Sequence, residues 1–225
     1  MQLNLLSVSD RISELVYSAR ARERFGETQL VLSCGDLPYY YVEFLVSALN
    51  VPVFFVRGNH ARTIEVSEDG SMLSAPRGAI NLHRRVLNYN GLLLAGIEGS
   101  IRYKPGPFQY TQNQMWRYIF EMVPALLYNR ARYGRALDVF VTHATPWGVH
   151  DLPDFPHQGV RAFNWLLKTF KPPYHLHGHI HLYGAESVWK SQFGATQIIN
   201  TYGFRQTLLN LPHLNDPRWQ RKAAA

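Results

Sequence analysis

Residues able to ligate a cation recur at the end of one short apolar run after another along this chain, and that recurrence limits the folds open to it. The run Leu3 to Val8 leads through Ser9 into Asp10, and Gln29 to Ser33 leads into Cys34-Gly35-Asp36. Val51 to Val56 runs into Arg57-Gly58-Asn59-His60, and Asp138 to Thr142 into His143. Tyr174 to Leu176 runs into His177-Gly178-His179-Ile180-His181. Short, continuous apolar runs of this kind read as strands buried on both faces. With helical spacing between the first three, the alternation is βαβαβ, which implies a parallel sheet whose functional groups collect at the carboxyl ends of its strands.

The 225 residues suffice for one well-buried core, and 46% hydrophobic with 17% charged residues suits a globular chain rather than a disordered one. We expect a single domain over 1–211 and a poorly ordered tail over 212–225. The opening MQLNLLSVSD has no basic region followed by a long apolar one, and no stretch reaches the roughly 18 apolar residues of a membrane span. The lone Cys34 rules out an intramolecular disulfide framework. The expected location is therefore the cytoplasm, with no membrane partner. A formal charge of +7 favours anionic partners, but the basic residues are scattered and name no substrate.

The spacing of Ile12, Leu15, Val16 and Ala19 predicts a helix over 12–25, and a second is expected over 39–49. A hairpin is expected over 79–96 around Asn88-Tyr89-Asn90-Gly91, followed by a long loop over 98–112 whose glycines and prolines forbid a regular element. Helices are predicted over 115–132, despite Pro124, and over 160–170. Strands are expected near 196–200 and 205–211. The tyrosine run 39–41 reads either as core packing or as a surface on which a base or aryl group stacks.

One polar group beside a strand means little, since a histidine there is commonly structural and Gly-Asp is an ordinary turn. Five such groups in succession carry more weight. Carboxylate, amide oxygen and neutral imidazole are ligands for Mn, Fe or Zn. The ordered set Asp10, Gly35-Asp36, Gly58-Asn59-His60, His143 and Gly178-His179-Ile180-His181 resembles the signature of the calcineurin-like metallophosphoesterase superfamily. The resemblance implies a four-layer α/β/β/α sandwich and hydrolysis of phosphate mono- or diesters by metal-activated water. It further implies two divalent metal ions, Mn, Fe or Zn, with Asp36 bridging them. Asn59, His143 and His179 would complete one site, and Asp10 and His181 would hold the other. His60 matches the histidine that contacts the phosphate and assists the leaving group, so Asp36 and His60 are the expected catalytic pair.

Two positions depart from that signature. Ile12 stands where the family places a metal-binding histidine, which predicts a weaker first-site metal. Ala61 follows His60 where an acid usually orients the histidine, leaving Asp69 or Asp151 as substitutes. Arg57, Arg102 and Tyr103 are candidates for gripping phosphate, and His150 and His157, in a polar loop with Asp151 and Asp154, for lining the substrate mouth. The expected partner is a small phosphate ester or a nucleotide. Alternatives are a nuclease acting on DNA or RNA and, because of Ile12 and Ala61, an inactive scaffold of the same fold.

Overall fold

The computed structural model describes residues 1–184, 187–214 and 217–219. Its first half runs β1 (Gln2–Ser9), α1 (Ala21–Arg24), β2 (Leu30–Ser33), α2 (Tyr39–Leu49) and β3 (Val53–Phe55). A small hairpin of β4 (Glu65–Val66) and β5 (Met72–Leu73) follows, then β6 (Ile80–Asn81), β7 (Arg85–Tyr89) and β8 (Leu92–Ile97). After the short pair β9 (Ser100–Ile101) and β10 (Gln109–Tyr110) come α3 (Gln112–Tyr133), β11 (Val139–Thr142) and α4 (Arg161–Phe170). The remaining strands are β12 (Tyr174–His177), β13 (Lys190–Phe193), β14 (Thr196–Asn200) and β15 (Gly203–Asn210).

The strands form two large mixed sheets, ordered β15-β1-β2-β3-β6 and β13-β14-β12-β11-β8-β7. In the first, β1, β2, β3 and β6 are parallel and β15 returns antiparallel along β1. In the second, β14, β12, β11 and β8 are parallel, and the edges β13 and β7 are antiparallel. Leu3, Leu5, Leu30, Leu32 and Phe54 of one sheet pack against Leu92, Leu94, Val139, Val141 and Leu176 of the other. The outer face of the first sheet packs under α2 through Leu6, Val8, Val31, Tyr41, Leu45 and Val53. The outer face of the second packs under α3 and α4 through Ala95, Phe140, Ile119, Met122, Phe163 and Leu166. The result is helix, sheet, sheet, helix, as expected.

Local chemistry explains most element boundaries. Asn90 and Gly91, both at positive φ (52° and 87°), turn β7 into β8 with Tyr89 opposite Leu92, the hairpin read from the sequence. Thr111 and Gln114 form a reciprocal capping box at the start of α3, and Gly134 in the left-handed region ends it. The helix expected over 12–25 shrinks to Ala21–Arg24. Of the four residues on its supposed apolar stripe only Val16 is buried, and Leu15 is 52% exposed, so a continuous helix would have little to pack against. In the expected tail, Leu214 and Trp219 are buried in the core between the sheets, and the Trp219 indole donates to the Asn90 carbonyl at 3.0 Å. Residues 215, 216 and 220–225 of that tail lie outside the described residues. Edge strand β13 was not anticipated; its alternation is half-exposed and lacks an apolar run.

Candidate metal centre

The carboxyl ends of the parallel strands of both sheets meet at one end of the sandwich. Asp10 follows β1, Asp36 lies three residues beyond β2, His143 follows β11, and His179 lies two beyond β12. One ligand atom from each of Asp10, Asp36 and His143 lies within 4.8 Å of the other two. Three residues here, Asp10, Asp36 and His179, adopt positive φ (63°, 55° and 66°), a conformation that costs side-chain-bearing residues energy and persists where surrounding contacts hold it. The backbone supplies those contacts. The Asp10 N–H donates to the Gly35 carbonyl at 3.0 Å, the Gly178 N–H to the His143 carbonyl at 3.0 Å, and the His179 N–H to the Asp10 carboxylate at 3.0 Å. That last bond ties the two sheets together through a candidate ligand.

Two glycines give the carboxylates room. A Cβ on Gly58 would lie 2.0 Å from the Asp36 Oδ1, and one on Gly178 would lie 2.6 Å from the Asp10 Oδ2. The sequence suggested that Gly178 supplies the bend that aims His179 and His181 together. The left-handed residue is instead His179 itself, and Gly178 supplies clearance.

Burial and hydrogen bonding orient His143. Its Nδ1 bonds to the Cys34 carbonyl at 2.8 Å, an acceptor that fixes the proton on that nitrogen. Its Nε2 then faces the Asn59 Oδ1 at 2.9 Å and the Asp36 Oδ2 at 3.2 Å. The Asn59 amide nitrogen approaches the Tyr103 hydroxyl at 3.4 Å, which leaves its oxygen turned inward. Three electron-rich atoms thus converge on one point. A proton can relieve the conflict: burial works against charge on His143, but Asp36 and Asp10 raise its pKa to about 9. Burial likewise opposes ionisation of Asp36, yet His143 and the His60 N–H, which donates at 2.8 Å, hold it at about 2. Burial dominates at Asp10 and raises its pKa. The carboxylates of Asp36 and Asp10 thus favour positive charge at the His143 imidazole despite its burial.

Around this centre the expected residues divide. His181 Nε2 stands 3.9 Å from the Asp10 Oδ1 on a half-exposed side chain. His179 is buried and its Nε2 bonds to the Pro156 carbonyl at 2.9 Å, leaving Nδ1 as the lone-pair nitrogen. His60 is exposed at the rim, beside Asp36. Tyr103 reaches the centre through Asn59, and the His157 ring lies 5.2 Å from that of His179. Three candidates for substrate contact are engaged elsewhere. Arg57 bonds to the Tyr39 hydroxyl, Glu98 and the Ser74 carbonyl. Arg102 bonds to the Gln109 carbonyl and Gln114. His150 bonds to His177 at 2.9 Å and Ser191 at 2.8 Å. Neither substitute partner reaches His60: Asp69 is bound to Ser71 and Arg77, and Asp151 accepts from the Gly148 and Gly159 N–H groups. Ile12 packs on the apolar cluster with Val8 and Val16.

Sequence reasoning missed the supports beneath the centre. Glu98 is buried and joins Arg57, Tyr110 and His83 below the Gly58-Asn59-His60 turn. The fully buried His177 bonds to the Gly178 carbonyl at 2.9 Å, steadying the turn that carries His179. The only signal for it was a histidine directly before the glycine.

A family profile for calcineurin-like phosphoesterases matches residues 9–183, which includes every candidate ligand and His60. The chain belongs to the calcineurin-like phosphoesterase family. Metal-dependent hydrolysis of phosphate esters is the general chemistry of that family. Among solved structures, one chain superposes with a TM-score of 0.62 at 14% identity, over 92% of this chain and 98% of its own. TT1561 of Thermus thermophilus superposes with a TM-score of 0.59 at 16% identity, over 90% of each chain. At such identities the likeness shows the calcineurin-like fold. No curated protein matches the sequence significantly. Among the described residues, no helix is long and apolar enough to cross a membrane.

Proposed function

We propose that this chain hydrolyses phosphate esters with water activated at two divalent cations, Mn, Fe or Zn, that share Asp36. Asn59, His143 and His179 would complete one ligand set, and Asp10 and His181 the other. The observation that carries the reading is the convergence of the His143 Nε2, the Asn59 Oδ1 and the Asp36 Oδ2, at 2.9 and 3.2 Å from the nitrogen. Lone pairs so placed repel unless a cation or a proton lies among them, and the nitrogen and oxygen donors suit borderline divalent metals. When bound, such cations supply a water of lowered pKa and neutralise phosphoryl oxygens.

The protein's own groups do the rest. Asp36 stays ionised through the physiological range because His143 and the His60 N–H stabilise its charge. The Cys34 carbonyl keeps His143 in the tautomer that offers Nε2 inward. His60 stands at the open side, where its imidazole donates a proton to the departing alkoxide. Asp10 and His181 form the poorer ligand set, because Ile12 packs into the apolar cluster where a third side-chain ligand is expected.

Hydrolysis of bis(p-nitrophenyl) phosphate and p-nitrophenyl phosphate by metal-stripped protein, titrated with Mn, Fe, Zn, Ni and Mg, tests this reading. Metal-dependent turnover that disappears in Asp36→Ala supports it. Ile12 and Ala61 favour one second reading, an inactive scaffold, and metal binding without turnover of any ester would put that reading first.

A further inference from the structure

Three consecutive tyrosines open α2, and the helix sends them in different directions. Tyr41 is fully buried in the apolar cluster beneath the helix. Tyr39 is buried with its hydroxyl within reach of the Arg62 and Ser74 carbonyls, at 3.1 and 3.2 Å. Tyr40 is 50% exposed and lines a cavity of about 580 Å³ whose wall also contains Asp36 and His60. The sequence left core packing and stacking open for this run; the fold gives two of the rings to the core and one to the cavity.

The cavity is preformed. Its far wall, the segment leading into β4, is tied to the start of α2 by Tyr39, whose N–H donates to Glu65 at 2.9 Å. Tyr17 packs edge-on against Tyr40 with ring centroids 5.8 Å apart, limiting its swing. Ile64 and Val66, also in the wall, are 51% and 72% exposed, so they contribute little to the core. Apolar side chains left open beside ionisable ones, in a concavity next to a candidate proton donor, mark a ligand surface. Arg62 lines the same cavity, and no acidic partner of its guanidinium occurs among the described residues.

We propose that this cavity seats the leaving alcohol of the substrate, and that this alcohol carries a planar aromatic group, aryl or nucleoside, lying on Tyr40 beside Ile64 and Val66. The inference rests on the hydrolase reading above. The ester P–O bond on the cavity side breaks, a bond from phosphorus to the water oxygen forms, and the alkoxide takes its proton from His60. The proton lost by water returns to the His60 imidazole through solvent.

Dissociation constants of 1-naphthyl phosphate, thymidine 5′-phosphate and methyl phosphate, measured by calorimetry on the Mn²⁺-loaded full chain with turnover followed in parallel, test the proposal. The wild type should bind the two aromatic esters about tenfold more tightly than methyl phosphate, in keeping with the strength of base–aromatic stacking. Tyr40→Ala should remove that preference and Tyr40→Phe keep it, with Tyr128→Ala, on the exposed face of α3, as the control that keeps it too. A loss confined to thymidine phosphate assigns a nucleoside leaving group, and a loss for both esters assigns planar alcohols at large. No preference in the wild type, or an undiminished one in Tyr40→Ala, overturns the proposal. Preference without turnover under any metal refutes hydrolysis and leaves the aromatic seat standing, whereas turnover without preference does the reverse.

Discussion

Replacing Asp36 by asparagine isolates the charge at the heart of the candidate metal centre. The amide is isosteric and still accepts the 2.8 Å hydrogen bond from the His60 N–H, so the turn should keep its shape. What disappears is the anion 3.2 Å from the His143 Nε2 that both proposed cations share. A cation at a hundred times its dissociation constant stabilises the fold by about 2.7 kcal/mol. For a domain of this size, each kcal/mol moves the melting temperature by roughly 2–4 °C, so saturating Mn²⁺ should raise the wild-type Tm by roughly 5–10 °C. In Asp36→Asn at the same Mn²⁺ concentration the rise should vanish. Differential scanning calorimetry of metal-stripped wild type and variant, with and without Mn²⁺ or Zn²⁺, reads this directly. A variant that keeps the full rise would refute the shared role of Asp36, and a wild type with no rise under any metal would refute the centre itself.

Three further outcomes follow from the same geometry. His60→Ala should lower kcat for p-nitrophenyl esters by about a hundredfold while leaving the metal-induced rise in Tm intact; loss of the rise would show that His60 supports the metal instead. His175 is fully buried among Phe140, Phe163 and Thr142, and burial, with His150 nearby, holds its pKa at about 3 against 6.5 in an exposed imidazole. The unfolded chain therefore takes up the proton first: the stability from a neutral His175 is complete above pH 6.5 and is lost as pH falls toward 3, about 2 kcal/mol of it between pH 7 and pH 5. Denaturant titrations at those two pH values should show a shallower decline in His175→Phe, and an unchanged decline would exclude His175 as its source. Leu94, fully buried between the two sheets, should cost about 3 kcal/mol on truncation to alanine, measured by urea unfolding, and a cost below about 1 kcal/mol would contradict the packing described.

Strand ends were legible because a run such as Val53–Phe55 needs no partner to identify it as buried, and the candidate ligands follow closely after such runs. The family resemblance was legible for the same reason, since Asp10, Gly35-Asp36, Gly58-Asn59-His60, His143 and Gly178-His179-Ile180-His181 keep their order along the chain. The segment 12–20 misled because apolar spacing records what a helix could bury and not whether a surface is there to receive it; Leu15 finds none. Arg57 reads as a phosphate ligand, and nothing in the sequence marks Glu98, forty-one residues away, as its partner at 3.2 Å.

The βαβαβ alternation of the first half, the hairpin at Asn90-Gly91 and the chemical types of the candidate ligands belong to the sequence by itself, because each depends on local backbone chemistry or on residue type. Tertiary structure alone decided that Asp10 accepts from the His179 N–H across two sheets, that His143 turns Nε2 inward, and that of three adjacent tyrosines only Tyr40 faces the cavity. Those outcomes depend on which surfaces pack together, and residues 169 positions apart carry no mark in their neighbours of the bond they will share.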